Sequence, residues 1–108
     1  MTTQARKVPF DSLRAAPEAP GIASETTEIG GHRWARVRYE PGVLREAWCD
    51  AGHEGFVLEG AVTYEFQDGS APLALQAGEA FALPGAQVHR GQAGTDGALL
   101  FIIDREPE

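Results

Sequence analysis

The sequence predicts an all-β fold, a small barrel or sandwich, and three observations carry that expectation. Thirteen Gly and seven Pro are spread along the chain rather than clustered. They punctuate short apolar runs at about the 8–12-residue spacing of strands joined by turns. No stretch sustains the period of an amphipathic helix. Val62, Tyr64 and Phe66 alternate with Thr63 and Glu65, the two-residue period of a strand with one buried face.

The elements follow in order. Residues 1–7 are expected to fray. Residues 11–16 can make one turn of helix, capped by Asp11 or Ser12 and ended by Pro17. Strands are expected at Ile22–Ile29 and 33–39, joined by a tight turn at Gly30-Gly31. Pro41-Gly42 breaks the chain, 44–49 reads as a short strand, and 50–52 as a loop. Strands at 56–58 and 62–66 are joined by a hairpin signal, Glu59-Gly60, and Asp68-Gly69 turns the chain again. Leu73–Gln76 and Ala80–Leu83 flank Ala77-Gly78, and Pro84-Gly85 closes that unit. A short strand is expected at 88–90. The continuous apolar run 99–103 suits a strand buried on both faces or at a subunit contact. Residues 1–20 are therefore read as an N-terminal arm and 21–108 as a single barrel domain.

Composition narrows the function classes. The 108 residues suit one domain, and 43% hydrophobic with 23% charged residues is ordinary for a globular protein. A net charge of −7 argues against nucleic acid and anionic membranes, since both are bound by Lys and Arg. Cys49 is the single cysteine, so no intrachain disulfide forms, which fits a reducing compartment. No run is long enough for a transmembrane helix, and residues 1–10 lack the apolar core of a signal peptide. A soluble cytoplasmic protein is the expectation.

Three histidines occur, His32, His53 and His89. His32 follows Gly30-Gly31 and reads as a turn residue. His53 and His89 lie at the edges of two different short strands beside Gly- and Pro-rich turns, and in a small barrel such positions can face one another across the interior. Arg36 and Arg38 share a face with Trp34. That face reads as solvated, the alternative being that one arginine holds a substrate carboxylate.

The stretch Gly78, Pro84, Ala86, His89 resembles the second motif of the cupin superfamily, G-x5-P-x-G-x2-H-x3-N. Ala86 replaces a Gly, and Ala93 stands where the family closes on Asn. The first motif, G-x5-H-x-H-x3,4-E-x6-G, is anchored by Gly60. His53 then holds the position of its Glu, and Trp48 and Glu46 hold those of its two His. Most of 37–104 further resembles a subgroup of small cupins labelled by a DHCW motif. The matching residues are Tyr39-Glu40-Pro41-Gly42, Glu46-Ala47-Trp48-Cys49, Gly52-His53, Val57-Leu58-Glu59-Gly60, His89-Arg90 and 100–104. Ala47 stands where that subgroup has His.

The resemblance implies a double-stranded β-helix, or jelly-roll, barrel. Because the usual three-His, one-Glu set is altered, the substitute ligands are His53, His89 and Glu46, with Cys49 near by and Trp48 as pocket wall. Imidazole with carboxylate suits a divalent metal ion such as Zn, Fe, Ni or Mn, and an added thiolate shifts the preference towards Zn or Cu. Strand alternation sets Cys49 on the face opposite Glu46 and Trp48, so Cys49 needs a bulge or strand end to reach the pocket. Three function classes stay open: a metal-dependent enzyme on a small molecule, a non-catalytic small-ligand binder or sensor without metal, and an interaction module with a filled pocket. Exposed strand edges in so small a chain predict a homodimer.

Overall fold

The structure, a computed structural model, describes residues 4–104. Residues 1–3 of the stretch expected to fray lie outside the described residues. Phe10–Ser12 form a single 3-10 turn, after which Leu13 leaves in extended conformation. The longer helical turn expected over 11–16 does not form. Pro17 and Pro20 push Ala16 and Ala19 into extended backbone, and Ala16–Ala19 become strand β1, antiparallel to β2. β2 (Ile22–Ile29) and β3 (His32–Tyr39) form the expected hairpin through Gly30 and Gly31, whose φ values of 61° and 81° suit a tight turn. β5 (Leu73–Gln76) and β6 (Ala80–Leu83) also lie where expected. No helix among the described residues is long and apolar enough to cross a membrane.

Three expectations are corrected. Glu59-Gly60 is not a hairpin turn: His53–Phe66 is one strand, β4, with bulges between Val57 and Glu59 and between Gly60 and Val62. The pieces at 88–90 and 99–103 are also one strand, β7 (His89–Asp104), paired with β4 along nearly its whole length. Gly91, Gly94 and Gly97 hid that strand because they interrupt the apolar pattern, yet backbone pairing needs no side chain. At Gly91 a Cβ would stand 3.0 Å from the Tyr64 ring, so the aromatic opposite fills the space. Residues 44–49 form no strand. They touch β7 through isolated bridges at Leu44↔Gln92 and Cys49↔His89, and residues 46–48 arch away between them.

The bulges turn a flat pairing into a closed one. The first part of β4 pairs with the last part of β7, with β3 and β2 beyond β7 and β6 on the other side of β4. The second part of β4 pairs with the first part of β7 and with β5. The two halves fold face to face. Ala35, Val37, Val57, Leu100 and Ile102 from one half bury against Val62, Tyr64, Leu75 and Ala93 from the other. On the outer face Phe56 and Leu58 are exposed.

β1 is held to the barrel by a polar staple. Glu18 accepts hydrogen bonds from the Ser24 hydroxyl, from Arg33 Nη2 at 3.1 Å and from Arg45 Nη2 at 2.9 Å. Burial alone would raise its pKa. The Ser24 hydroxyl and the two guanidiniums outweigh burial and hold the carboxyl below its ordinary 4.5. A depressed carboxylate stabilises the fold above its unfolded pKa, and that contribution is lost as pH falls through the folded value.

Two outcomes are expected. Glu18→Gln lowers the thermal midpoint at pH 7, and its difference from the parent shrinks as the pH falls below 4.5, read by melts across a pH series. Gly60 has a φ of 74°, and a Cβ there would meet the Gly97 carbonyl oxygen at 2.1 Å. Gly60→Ala therefore costs at least about 2 kcal/mol, a drop in melting midpoint of about 8 °C or more. Gly69→Ala, with a φ of 83° but open space around it, is the control. It carries only the backbone cost, roughly 1 kcal/mol.

Candidate metal centre

Register builds the site. Arg33 on β3, Asp104 on β7 and His53 on β4 are directly paired across three neighbouring strands, so their side chains form one row on the inner face. Arg33 belongs to the inward alternation of β3 with Ala35, Val37 and Tyr39. The Asp104 carboxylate accepts from Arg33 Nη1 at 3.0 Å with one oxygen and from His53 Nδ1 at 2.7 Å with the other. A carboxylate only accepts here, so Nδ1 carries the proton and Nε2 turns to the interior.

His89 opens β7 in the opposite half and is almost fully buried. Its Nδ1 lies 3.0 Å from the Gln87 carbonyl oxygen, which must accept, so its Nε2 also offers a lone pair inward. That Nε2 is buried with no hydrogen-bond partner, a costly arrangement unless something occupies the site. The His53 and His89 rings lie 5.1 Å apart, edge to face.

Cys49 completes the group. Its N–H donates to the His89 carbonyl at 2.8 Å and its carbonyl accepts from the His89 N–H at 3.0 Å, so the backbone bridge sets its side chain beside both rings. Its Sγ is 3.4 Å from His53 Nε2. The sulfur and one nitrogen from each imidazole all lie within 4.8 Å of one another. The neighbouring His53 and then His89 imidazoles lower the Cys49 pKa to about 6 against the opposing effect of burial. Burial would lower His53, but Asp104 and Cys49 prevail and raise it to about 9. The same His53 contact, with Arg33, holds Asp104 below the usual carboxylate range although burial opposes it. The cluster therefore holds a thiolate beside an imidazolium near neutral pH. Loss of the one remaining proton, on His53 Nε2, leaves a sulfur and two nitrogens facing one point, the donor chemistry of a metal site.

The expected site residues divide. His53 and His89 come together as the spacing implied. Cys49 joins them through the bridge rather than through a strand end. Trp48 lines the cavity, and the Arg90 guanidinium stacks 4.2 Å above its ring. Glu46, expected as the third ligand, is exposed and stands outside the cluster of Cys49, His53 and His89. Its carbonyl accepts from Arg90 Nη1 at 3.1 Å. It falls in the arched part of 44–49, so the alternation that assigned its face does not apply. His32 is exposed at its turn. Arg36 faces outward to Glu25 and Asp11, and Arg38 is exposed. Asp104, Arg33, Arg45 and Glu18 were not singled out from sequence. The inward alternation 33-35-37-39 carried a signal for Arg33, and 100-102-104 one for Asp104.

The cluster forms part of the wall of a cavity of about 370 Å³. Tyr39, Tyr64, Val37 and Ile102 are among its apolar lining residues, and Glu18, Arg33 and Arg45 among its polar ones. This volume suits a small molecule.

No family model matches the chain, and no curated protein sequence does. Solved structures do match. A tryptophan-to-tyrosine variant of the oxalate decarboxylase of Bacillus subtilis superposes with a TM-score of 0.78 at 16% identity, over 98% of this chain and 30% of that one. The oxalate decarboxylase of the same organism whose Mn(II) centres were assigned gives 0.78 at 18% identity, over the same shares. KdgF from Halomonas sp. gives 0.73 at 17% identity, over 98% of this chain and 97% of that one. The chain thus spans about a third of the oxalate decarboxylase chain and nearly all of KdgF. The sheet order, the strand-rich chain and these superpositions together identify the fold as that of a small cupin β-barrel.

Proposed function

We propose that this protein is a metal-binding cupin that binds, or acts on, a small molecule in its barrel cavity. The observation that carries the reading is the buried, unpartnered Nε2 of His89, aimed at the same point as His53 Nε2 and the Cys49 sulfur. Both imidazoles are held at Nδ1, one by Asp104 and one by the Gln87 carbonyl. This outer-shell arrangement fixes the tautomer in metal-binding histidines. Three protein donors would leave a position open for a ligand. Sulfur with two nitrogens favours zinc or copper, and suits iron or nickel better than manganese, which prefers oxygen. When bound, the metal would supply Lewis-acid polarisation of an oxygen on the small molecule. Asp104 and Arg33 keep His53 oriented, and Tyr64, 5.7 Å from the His89 ring, screens the group from water.

A reducing compartment such as the cytoplasm suits the reading, because an oxidised Cys49 cannot serve as a thiolate donor. Pairing of two copies belongs to the proposal as well. Phe56 and Leu58, 37% and 42% exposed, offer an apolar face. Light scattering reads it: Leu58→Glu is expected to be monomeric where the parent is dimeric, and a monomeric parent removes this part.

Elemental analysis of protein purified without a His tag tests the metal. Near one equivalent is expected in the parent and none in a His53→Ala/His89→Ala double variant. Asp104→Asn is expected to weaken metal binding by about 10–100-fold, measured by competition with a chelator. A parent that neither retains metal nor takes up zinc on addition would sink the reading.

A further inference from the structure

We infer that the molecule held in the cavity is a small monocarboxylate, gripped by Arg45 and Tyr39 with its remaining carbons directed at the Cys49–His53–His89 group. The inference deepens the metal reading above, and its charge argument rests on it.

Two donors point to this class. Arg45 lies in the arched segment between β3 and β4, half-buried on the cavity wall. Its Nη2 is taken by Glu18 at 2.9 Å and its Nε donates to the Tyr39 hydroxyl at 3.3 Å. Its Nη1 has no partner among the described residues. The Tyr39 hydroxyl accepts from Arg45, and its own hydrogen has no acceptor among the described residues. Tyr39 is only 5% exposed, so that O–H has little access to bulk water. A guanidinium N–H and a phenolic O–H, both without an acceptor among the described residues and both on residues that line one cavity, are two donors of the kind a carboxylate takes. The other two arginines of the wall likewise have two bonded nitrogens each, and Arg45 differs from them in standing against a tyrosine whose hydroxyl hydrogen has no acceptor among the described residues. Arg33 gives Nη1 to Asp104 and Nη2 to Glu18, and Arg90 is bound to Glu65, to the Glu46 carbonyl and to the Trp48 ring.

Charge selects a monoanion. Arg33, Arg45 and Arg90 on the wall balance Glu18, Asp50 and Asp104. A divalent metal with the Cys49 thiolate and two neutral imidazoles then leaves one positive charge facing the cavity. Burying one negative charge beside it is favourable, whereas a dianion would over-compensate in an enclosed space. Val37, Tyr64 and Ile102, which line the same cavity, suit carbon rather than further polar atoms.

The test uses zinc-loaded full-length protein, titrated calorimetrically with butyrate, with butyramide as its uncharged counterpart, and with inorganic phosphate. Butyrate is expected to bind at least tenfold more tightly than butyramide or phosphate. Arg45→Gln should weaken butyrate at least tenfold with metal content unchanged, and Tyr39→Phe several-fold. Should Arg45→Gln fail to fold, Tyr39→Phe carries the test, since it removes one oxygen and keeps the ring. Equal binding of butyramide, tighter binding of phosphate, or butyrate affinity indifferent to these changes overturns the inference. Metal content is measured first, so its absence counts against the metal reading alone. Butyrate binding that depends on Arg45 in such protein would still support the donor pair.

Discussion

The molecule depends on the pairing of β4 with β7. These two strands run antiparallel from His53↔Asp104 at one end to Phe66↔His89 at the other, and they bend together in the middle. One continuous ladder therefore contributes to both walls of the barrel. The same ladder supplies two members of the cluster and the carboxylate behind it: His53 and Asp104 sit opposite one another, and His89 lies at the far end of β7. Folding the ladder at its bulges brings those ends together, with the two imidazole rings 5.1 Å apart. A straight ladder would leave them separated by the length of a long strand. Gly60 and Gly97 allow the fold because backbone approaches backbone where a Cβ would collide.

Around that frame the polar groups are wired in series. Ser24 and Arg45 meet Glu18, Glu18 meets Arg33, Arg33 meets Asp104, Asp104 meets His53 and His53 meets Cys49. Each charge in this chain has an opposite partner, which half-buried ionic groups require. Against this background the bare His89 Nε2 stands out. Its neighbours in the row are satisfied by protein atoms, while it faces the cavity with nothing. This closely paired network leaves one buried acceptor open at the point where a thiolate and a second imidazole converge.

The strand content was largely legible. Period-two alternation and turn residues placed β2, β3, β5 and β6 within a residue of their bounds. The spacing of His89 from Gly78 and Pro84, and of His53 from Gly60, found the two imidazoles. Glu46 and Cys49 show where that reading failed. They sit three residues apart, and alternation ranked them by face as though the segment were a strand. The segment arches between two isolated bridges instead, and an arch has no faces. Its end at Cys49 is pinned to His89 by two backbone bonds, a contact between residues 40 positions apart that no local pattern reports.

By itself, then, the sequence determined that the chain would be strands and turns, where most turns fall, and which two histidines could meet inside the barrel. Side-chain alternation and the turn preferences of Gly and Pro are local properties, written within a few residues. Only the tertiary structure decided that Gly60 bends a strand rather than reversing it. A glycine at positive φ serves a bulge and a hairpin equally, and the distant partner strand selects between them. It also decided that Asp104 stands behind His53, 51 residues away, and that Arg33 stands behind Asp104, 71 residues away. Those neighbours are set by cross-strand register, a relation between segments that pairing creates and no single stretch of chain contains.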